Sequence, residues 1–336
     1  GGNIGQGIMK ALRMSLFDVK IVGTDMNPLS AGLLRCDKAY VVKGSDHKGF
    51  LNEIVKIIRK EKVKIVLVGS DFELDFFSHH KNDIENQTGC YVLTSSLEVC
   101  QASYDKWKTY LFCRERNIPY PETCLPHQKV LIRKMIRRKG FPVILKPRVG
   151  YGSRFVEKIN DRKELDFFLN RIPDPIVQEY LGSDSKEYTA ASFVDSVGRI
   201  VGTILFKRML SAGATYKAEV VQDSNLVSQV QNIVRKIKPL GPCNIQFREV
   251  SGNVVPFEFN IRFSGTTPIR AALGFNDVEM ALRHFVFREK LKGPKIKKGL
   301  AFRYWNEVIV EDVDFQILRK RKRGHLSGKT YLLSAM

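Results

Sequence analysis

The sequence predicts a soluble chain with room for a proper core that opens on an α/β unit of doubly wound type over residues 1–100. Three observations carry this. Short apolar runs alternate with helical stretches through the first hundred residues, the signature of a parallel sheet with crossover helices. A strand–turn–strand pattern occupies 241–262. The 336 residues are 43% apolar and contain no apolar run near the ~18–20 residues that span a bilayer.

Gly1-Gly2-Asn3-Ile4-Gly5-Gln6-Gly7-Ile8 opens a helical pattern continued by Met9, Leu12 and Met14. In an α/β fold such a turn follows a strand, so the chain is expected to begin just inside its natural N terminus. The glycines admit two readings. One is a dinucleotide site with Asp25 on a ribose; the other is a Rossmann-like scaffold whose glycines serve only the turn. Strands are expected at Lys20–Asp25, Ala39–Val42, Ile65–Gly69 and Tyr91–Thr94, with helices over 49–60 and 71–79. A helix starts at Tyr104-Asp105-Lys106 and is ended by Pro119 and Pro121, and another covers 127–139.

The charge is +20, unevenly spread. Residues 1–100 hold 13 basic and 12 acidic side chains, whereas 281–336 hold 14 and 5. Such an excess attracts polyanions: nucleotides, nucleic acid or anionic surfaces. The six cysteines lack CxxC spacing, so buried, reduced thiols are expected rather than a zinc site. The chain starts at Gly1 with no signal-peptide pattern in its first residues, and a cytoplasmic location is expected.

Chemistry-bearing residues follow. The strand Phe141–Pro147 delivers Lys146 beside the loop Arg148-Val149-Gly150-Tyr151-Gly152-Ser153-Arg154. Free N–H groups of such a loop can wrap phosphate oxygens while the lysine neutralises them. Pro175–Gly182 reads as a strand entering a linker, followed by Ser185-Lys186-Glu187-Tyr188-Thr189. The backbone around Glu179–Leu181 could pair with a purine edge, and Glu187 with ribose hydroxyls. On the strand Val254–Arg262, residues Glu258, Asn260 and Arg262 share one face. Glu258 and Asn260, with Gln246 on the partner strand, are the hard oxygens that Mg²⁺ takes alongside water and phosphates.

The order Asp105-Lys106, Lys146 with Gly150–Arg154, Gln178-Glu179, Lys186-Glu187-Tyr188, Asn244–Gln246 and Glu258-x-Asn260-x-Arg262-x-Ser264 resembles the ATP-grasp superfamily. It is most similar to one synthetase unit of the carbamoyl-phosphate synthase large chain, over roughly residues 1–290. The resemblance implies an α/β and α+β chain: a Rossmann-like pre-ATP-grasp domain (1–100), a linker helix and lid (101–180), a mixed-sheet α+β catalytic core with the metal site (181–290) and a basic extension (291–336). In that family the first domain does not bind NAD, which favours the scaffold reading of Gly1–Gly7.

It also implies roles. Lys106 and Lys146 would contact ATP phosphates, under a loop of Gly150, Gly152 and Ser153, with Arg154 reaching phosphate or substrate. Gln178, Glu179, Tyr180 and Leu181 would face the adenine, Glu179 and Leu181 through their backbones, and Glu187 the ribose. Gln246, Glu258 and Asn260 would hold one or two Mg²⁺ ions, replaceable by Mn²⁺. Arg262 would stabilise the transferring phosphoryl group. Lys207, Arg208 and Lys217 around Ser211–Thr215, with Arg270, are expected to grip an anionic substrate, Lys217 taking a catalytic part. Solvated surface charge is the plainer reading of Lys207 and Arg208.

Two departures matter: Ile261 replaces a proline, and Gly265 a second arginine. The latter alters the anion pocket and weighs against bicarbonate as substrate. The glutamine-hydrolysing partner and second synthetase unit have no counterpart in these 336 residues, so carbamoyl-phosphate synthase itself is not expected.

The expected chemistry is ATP-dependent activation of a carboxylate as an acyl phosphate, attacked by an amine or similar nucleophile with release of ADP and phosphate. The alternatives are an ATP-binding regulatory module and a nucleic-acid-associated protein using the basic tail. That tail holds five lysines in Lys290–Lys298 and the run Arg319-Lys320-Arg321-Lys322-Arg323, which reads as solvated charge or as a polyanion contact. A homo-oligomer is the default expectation.

Overall fold

The first helix, α1 (Asn3–Arg13), starts directly behind Gly2 and buries Ile8, Met9 and Leu12 on one face. Gly7 permits its close approach to a later turn, since a Cβ there would stand 3.1 Å from Pro268 Cδ. The chain continues through β1 (Val22–Asp25), β2 (Lys38–Val41), α2 (Phe50–Glu61), β3 (Ile65–Leu67), α3 (Asp71–His79), α4 (Lys81–Thr88), β4 (Tyr91–Leu93) and α5 (Leu97–Tyr104). The computed structural model describes residues 1–150, 152–182, 186–211 and 213–304, with short pieces at 308–309, 316–317, 319–320, 322–324 and 331–332. Of the expected motif residues, Tyr151, Ser185, Ala212 and Arg321 lie outside the described residues.

Strand and helix alternate as the sequence predicts, but the parallel strands form two pairs rather than one sheet. β1 pairs with β2 and β3 with β4, both parallel. Residues 22–25 and 65–69 both line one cavity, and no ladder joins β1 to β3 among the described residues. Helix α4 is not foreseen from the sequence because its only buried side chain is Ile84, which leaves no apolar period to read.

Next come α6 (Lys106–Glu115), β5 (Thr123–Cys124), α7 (Lys129–Lys139), β6 (Val143–Pro147), β7 (Glu157–Ile159), α8 (Arg162–Leu169) and β8 (Pro175–Glu179). Asp105 caps α6, accepting from the backbone N–H of Trp107 at 2.8 Å and of Lys108 at 3.4 Å. An antiparallel sheet in the order β5-β8-β6-β7 packs Val143, Leu145, Ile159 and Val177 against Ile132, Met135 and Leu165 of α7 and α8.

The largest sheet is built from β9 (Glu187–Val194), β10 (Ile200–Ser211), β11 (Ala214–Val220), α9 (Ser224–Ile237) beside it, β12 (Gly241–Val250) and β13 (Asn253–Asn260). Then follow α10 (Thr267–Ala272), α11 (Asp277–Ala281) with a π-turn at Leu282–Val286, and β14 (Leu300–Phe302). The strand order is β13-β12-β9-β10-β11-β14. Every residue of β9 is buried. The reason is cover on both faces: α5, α6 and α9 pack against Ala190, Val194 and Ile245, while α1 and α11 pack against Ala191, Phe193 and Phe206.

β14 falls within the stretch expected to be a basic extension, yet it pairs with β11 and completes the sheet edge. Further on, β15 (Val308–Ile309) pairs with β17 (Tyr331–Leu332), while β16 (Arg323–Gly324), inside the basic run, pairs antiparallel with β2. All six cysteines are buried and unpaired. Burial pushes the thiols of Cys90, Cys100 and Cys243 up to about 12, which keeps them protonated. No helix among the described residues is long and apolar enough to cross a membrane.

Candidate active site

A cavity of 1290 Å³ lies where the first unit, the four-stranded sheet and the six-stranded sheet meet. Of the residues expected to act together, Lys106, Gly150, Gly152, Gln246, Glu258, Asn260 and Arg262 line it. They arrive by different routes. Lys106 is the first residue of α6, and its amine donates to the carbonyls of Arg148 at 3.4 Å and Gly150 at 3.3 Å. Asp105 ties the same corner together through the guanidinium of Arg148, whose Nε donates at 3.2 Å. The α6 start is thereby fixed to the glycine loop.

That loop reaches across to the β10–β11 turn. Gly152 (φ 62°) touches Gly213 (φ 71°), where a Cβ would overlap the carbonyl of Gly152. Only glycine permits both this backbone angle and this contact. Ser153 and Arg154 are exposed and lie off the cavity wall.

Lys146 on β6 is 7% exposed, and its amine makes no hydrogen bond among the described residues. Burial, assisted by the positive charge of Lys106, pushes its pKa down to about 7. Lys106 is lowered by burial too. Lys106 lines the cavity and Lys146 lies close enough to feel its charge; neither amine has an ion pair among the described residues, an arrangement that favours an anion.

Opposite, β12 and β13 set Gln246 directly across from Glu258. Glu258 Oε1 accepts from Gln246 Nε2 at 2.9 Å and from Asn260 Nδ2 at 3.0 Å. Glu258 Oε2 and Asn260 Oδ1 have no hydrogen-bond partner among the described residues. One carboxylate oxygen and one amide oxygen side by side fit Mg²⁺, which favours few protein ligands completed by water and phosphates. The third expected ligand is used otherwise: Gln246 Oε1 accepts from Arg208 Nη2 at 2.6 Å, so this side chain orients Glu258. No group of three or more His, Cys, Asp or Glu gathers among the described residues.

Several expected contacts are placed differently. Glu187, expected at the ribose, has both oxygens engaged: Oε1 accepts from Arg208 at 2.7 Å and Oε2 from Arg248 at 3.1 Å. Direct cross-strand pairing of Glu187 with Arg248 makes the second contact. Gln178 is turned inward, donating to Thr123 Oγ1 at 2.9 Å. Glu179 points its carboxylate at Lys139, 2.8 Å away. Tyr180 lies between cations, Lys158 Nζ at 4.6 Å and Arg248 Cζ at 5.3 Å from its ring centre. Leu181 is half-buried, and none of the four side chains lines the cavity.

The expected anion grip is redistributed. Arg270 is completely buried against Asp277, Ser264 and Thr266, so it braces the fold instead of reaching a ligand. Arg208 lines the cavity but is held by Glu187 and Gln246, which replaces the solvated-charge reading for it. Lys217 is off the wall, with its ammonium 5.5 Å from the Phe302 ring centre. Lys207 on β10 is exposed.

Residues the sequence reading missed are Asp71 and Arg248. Arg262 Nε donates to Asp71 Oδ1 at 2.6 Å, and Nη2 contacts the other oxygen, a bidentate pair joining α3 to the bend after β13. Nothing local links positions so far apart. Arg248 had a readable signal, since it stands two residues beyond Gln246 on one strand.

Comparison with known proteins gives the same architecture. Residues 3–93 match the PylC-like N-terminal domain family, and residues 171–308 match the family of ATP-grasp proteins in a biosynthetic pathway with the Ter operon. The structure superposes on N5-carboxyaminoimidazole ribonucleotide synthetase from Thermus thermophilus with a TM-score of 0.68, covering 92% of this chain and 81% of that one at 15% identity. The chain has an ATP-grasp fold.

A second ATP-grasp neighbour is the biotin carboxylase domain of 2-oxoglutarate carboxylase from Hydrogenobacter thermophilus, whose crystals hold MgADP, ADP and bicarbonate. Its TM-score is 0.67, at 14% identity over 89% of this chain and 71% of that one. In sequence, the carbamoyl phosphate synthase large chain of Methanosarcina barkeri is 25% identical over 295 residues, 79% of this chain and 27% of the relative. D-aspartate ligase of Enterococcus faecium is 24% identical over 229 residues, 60% of this chain and 54% of the relative. The chain thus spans about a quarter of the synthase and about half of the ligase.

Proposed function

We propose that the chain is an ATP-dependent ligase that phosphorylates a carboxylate from Mg-ATP and joins the resulting acyl phosphate to an amine or similar nucleophile, releasing ADP and phosphate. The observation that carries this reading is the meeting, around one cavity, of cation-rich loop and oxygen-rich strands: Lys106 and the Gly150–Gly152 loop on one side, Glu258 and Asn260 on the other, with Lys146 buried behind. The ATP-grasp neighbours and relatives are enzymes named for such chemistry.

A carboxylate is a poor electrophile because oxide would have to leave. Transfer of the γ-phosphoryl group turns that oxygen into phosphate, which an attacking amine displaces. The protein's part in the first step is electrostatic placement. Lys106 and Lys146 would neutralise nucleotide phosphates, Glu258 and Asn260 would hold one or two Mg²⁺ ions, and Arg262 would meet the transferring group. Mg²⁺ or Mn²⁺ at these oxygens supplies Lewis-acid neutralisation of phosphate charge. The glycine loop seated on Gly213 covers the site and keeps water from the acyl phosphate. The backbone of Glu179–Leu181 remains the segment for the adenine edge. In this reading the enzyme works in the cytoplasm as a homo-oligomer, and the basic tail contacts a polyanion.

The deciding experiment incubates the protein with Mg-ATP and a panel of carboxylic acids with amines, resolving ADP from AMP. Acid-dependent ADP and phosphate establish the acyl-phosphate route. AMP with pyrophosphate would show adenylation and overturn the mechanism while leaving the fold intact.

A further inference from the structure

Resting on the ligase reading, we propose that Glu187 and Arg208 are positioning residues for the metal end of the site, acting through Gln246 to aim one oxygen of Glu258 into the cavity. Glu187 then serves a metal-binding carboxylate two strands away rather than a sugar hydroxyl.

The observation is an unbroken line of side-chain hydrogen bonds across the six-stranded sheet. Glu187 opens β9, Arg208 lies on β10, Gln246 on β12 and Glu258 on β13. Arg208 Nη2 donates both to Glu187 Oε1 at 2.7 Å and to Gln246 Oε1 at 2.6 Å, and its Nε donates to Glu187 Oε1 at 3.1 Å. Gln246 Nε2 continues the line to Glu258 Oε1 at 2.9 Å. Arg208 reaches over a strand to do this, since β9 stands between β10 and β12. On β9 the residue paired with Gln246 is Thr189, and Thr189, Arg208 and Gln246 all line the cavity.

Donor chemistry gives the line a direction. A guanidinium carries only N–H donors, so the atom that Gln246 turns to Arg208 is its oxygen. The amide nitrogen then faces Glu258, where Asn260 Nδ2 donates to the same Oε1 at 3.0 Å. With Oε1 taken by two donors, Oε2 is the oxygen left for a cation. Without the arginine the amide is free to turn over and set its own oxygen against the carboxylate, acceptor against acceptor. Arg208 in turn needs an anchor, because it is 8% exposed and a buried guanidinium is costly unless paired. Glu187 supplies that anchor, and Arg248 Nη2 holds its other oxygen at 3.1 Å. Glu187 itself does not line the cavity, whereas Arg208, Gln246 and Glu258 do. Its carboxylate acts on the site through Arg208.

The test is Mn²⁺ binding to the nucleotide-free protein, read as loss of the free-ion electron paramagnetic resonance signal. Arg208→Lys keeps the charge but loses the planar fork that joins Glu187 to Gln246. It should weaken binding about tenfold or more, the usual scale for a group that orients a metal ligand. Glu187→Gln, which keeps the shape, should weaken binding in the same direction. Neither change should add more than about twofold in a Gln246→Leu background, because the route to Glu258 is already cut. Unchanged or tighter binding in Arg208→Lys, or an equal loss in both backgrounds, overturns the proposal. Wild-type protein that takes up no Mn²⁺, or Glu258→Ala that takes it up equally well, removes the metal site of the ligase reading and the proposal with it. A second readout addresses Glu187 directly. A non-hydrolysable ATP analogue and its 2′-deoxy form should bind Glu187→Gln with the same ratio of affinities as wild type. A ratio that moves toward one in the variant would put Glu187 on the ribose and overturn its assignment here.

Discussion

Lys146 illustrates how much one side chain's surroundings decide. Its pKa near 7 lies below the ordinary 10.5 because burial penalises the ammonium and Lys106 adds repulsion. Between these values the folded protein holds fewer protons at this site than the unfolded chain. The burial penalty is therefore present in full below pH 7 and fades as pH rises toward 10.5, so this group's contribution to stability increases with pH across that window. A bound phosphate restores the charge. Nucleotide binding at pH 8 should take up a proton, and affinity should fall as pH is raised further. Calorimetry of ADP binding in two buffers of different ionisation heat measures this, and Lys146→Met should abolish the uptake. Equal proton exchange in both proteins would place the titrating group elsewhere.

The paired residues on β13 carry a second residue-scale prediction. Glu258→Ala removes the carboxylate that accepts from Asn260 and should lower acid-dependent ADP formation by about 10²-fold or more, as loss of a central electrostatic contact does. The melting temperature should hold, since the lost hydrogen bonds face the cavity. Undiminished turnover would refute the site.

At the scale of elements, two polar anchors place the machinery. Asp105 both caps α6 and holds Arg148 beside the glycine loop. Asp105→Ala should cost about 1–2 kcal/mol of stability from the cap and loosen Lys106, raising the nucleotide Kd; denaturant melts and ADP titration read the two effects. The Arg270–Asp277 pair joins α10 to α11 with both side chains at 0% exposure. Asp277→Ala leaves a buried guanidinium uncompensated and should cost about 3–5 kcal/mol, whereas replacing both residues by apolar ones should cost less. A double mutant as unstable as the single would show that the pair's hydrogen bonds to Ser264 and Thr266 dominate.

Taken whole, the molecule carries its +20 charge in two different ways. Part of it is solvated, as on α7, where Lys129, Arg133, Lys134, Arg137, Arg138 and Lys139 are all exposed. Part is drawn into the cavity wall as Lys106, Arg208, Arg262 and Arg303, with Lys146 buried nearby. If the solvated charge served nucleic acid, binding would be tight at low salt and fall steeply with ionic strength. The ligase reading predicts only weak binding, gone near physiological salt, with nucleotide affinity changing far less.

The sequence by itself determined the strand–helix alternation of the first unit, the hairpin that pairs Gln246 with Glu258, and the lysine beside a glycine loop. These are local: period, turn chemistry and residues two apart on one strand are printed in consecutive positions. Helix α4 escaped because it buries a single residue, and β14 escaped because a three-residue strand is recognisable only beside its partner. Only the tertiary structure decided which charges find counter-charges. It paired Arg262 with Asp71 and Arg270 with Asp277, and drew Glu187 between Arg208 and Arg248. A sequence lists cations and acids without distances, and Coulomb energy depends on distance and burial, so a free anion-binding charge and a structural one look alike until the chain is folded.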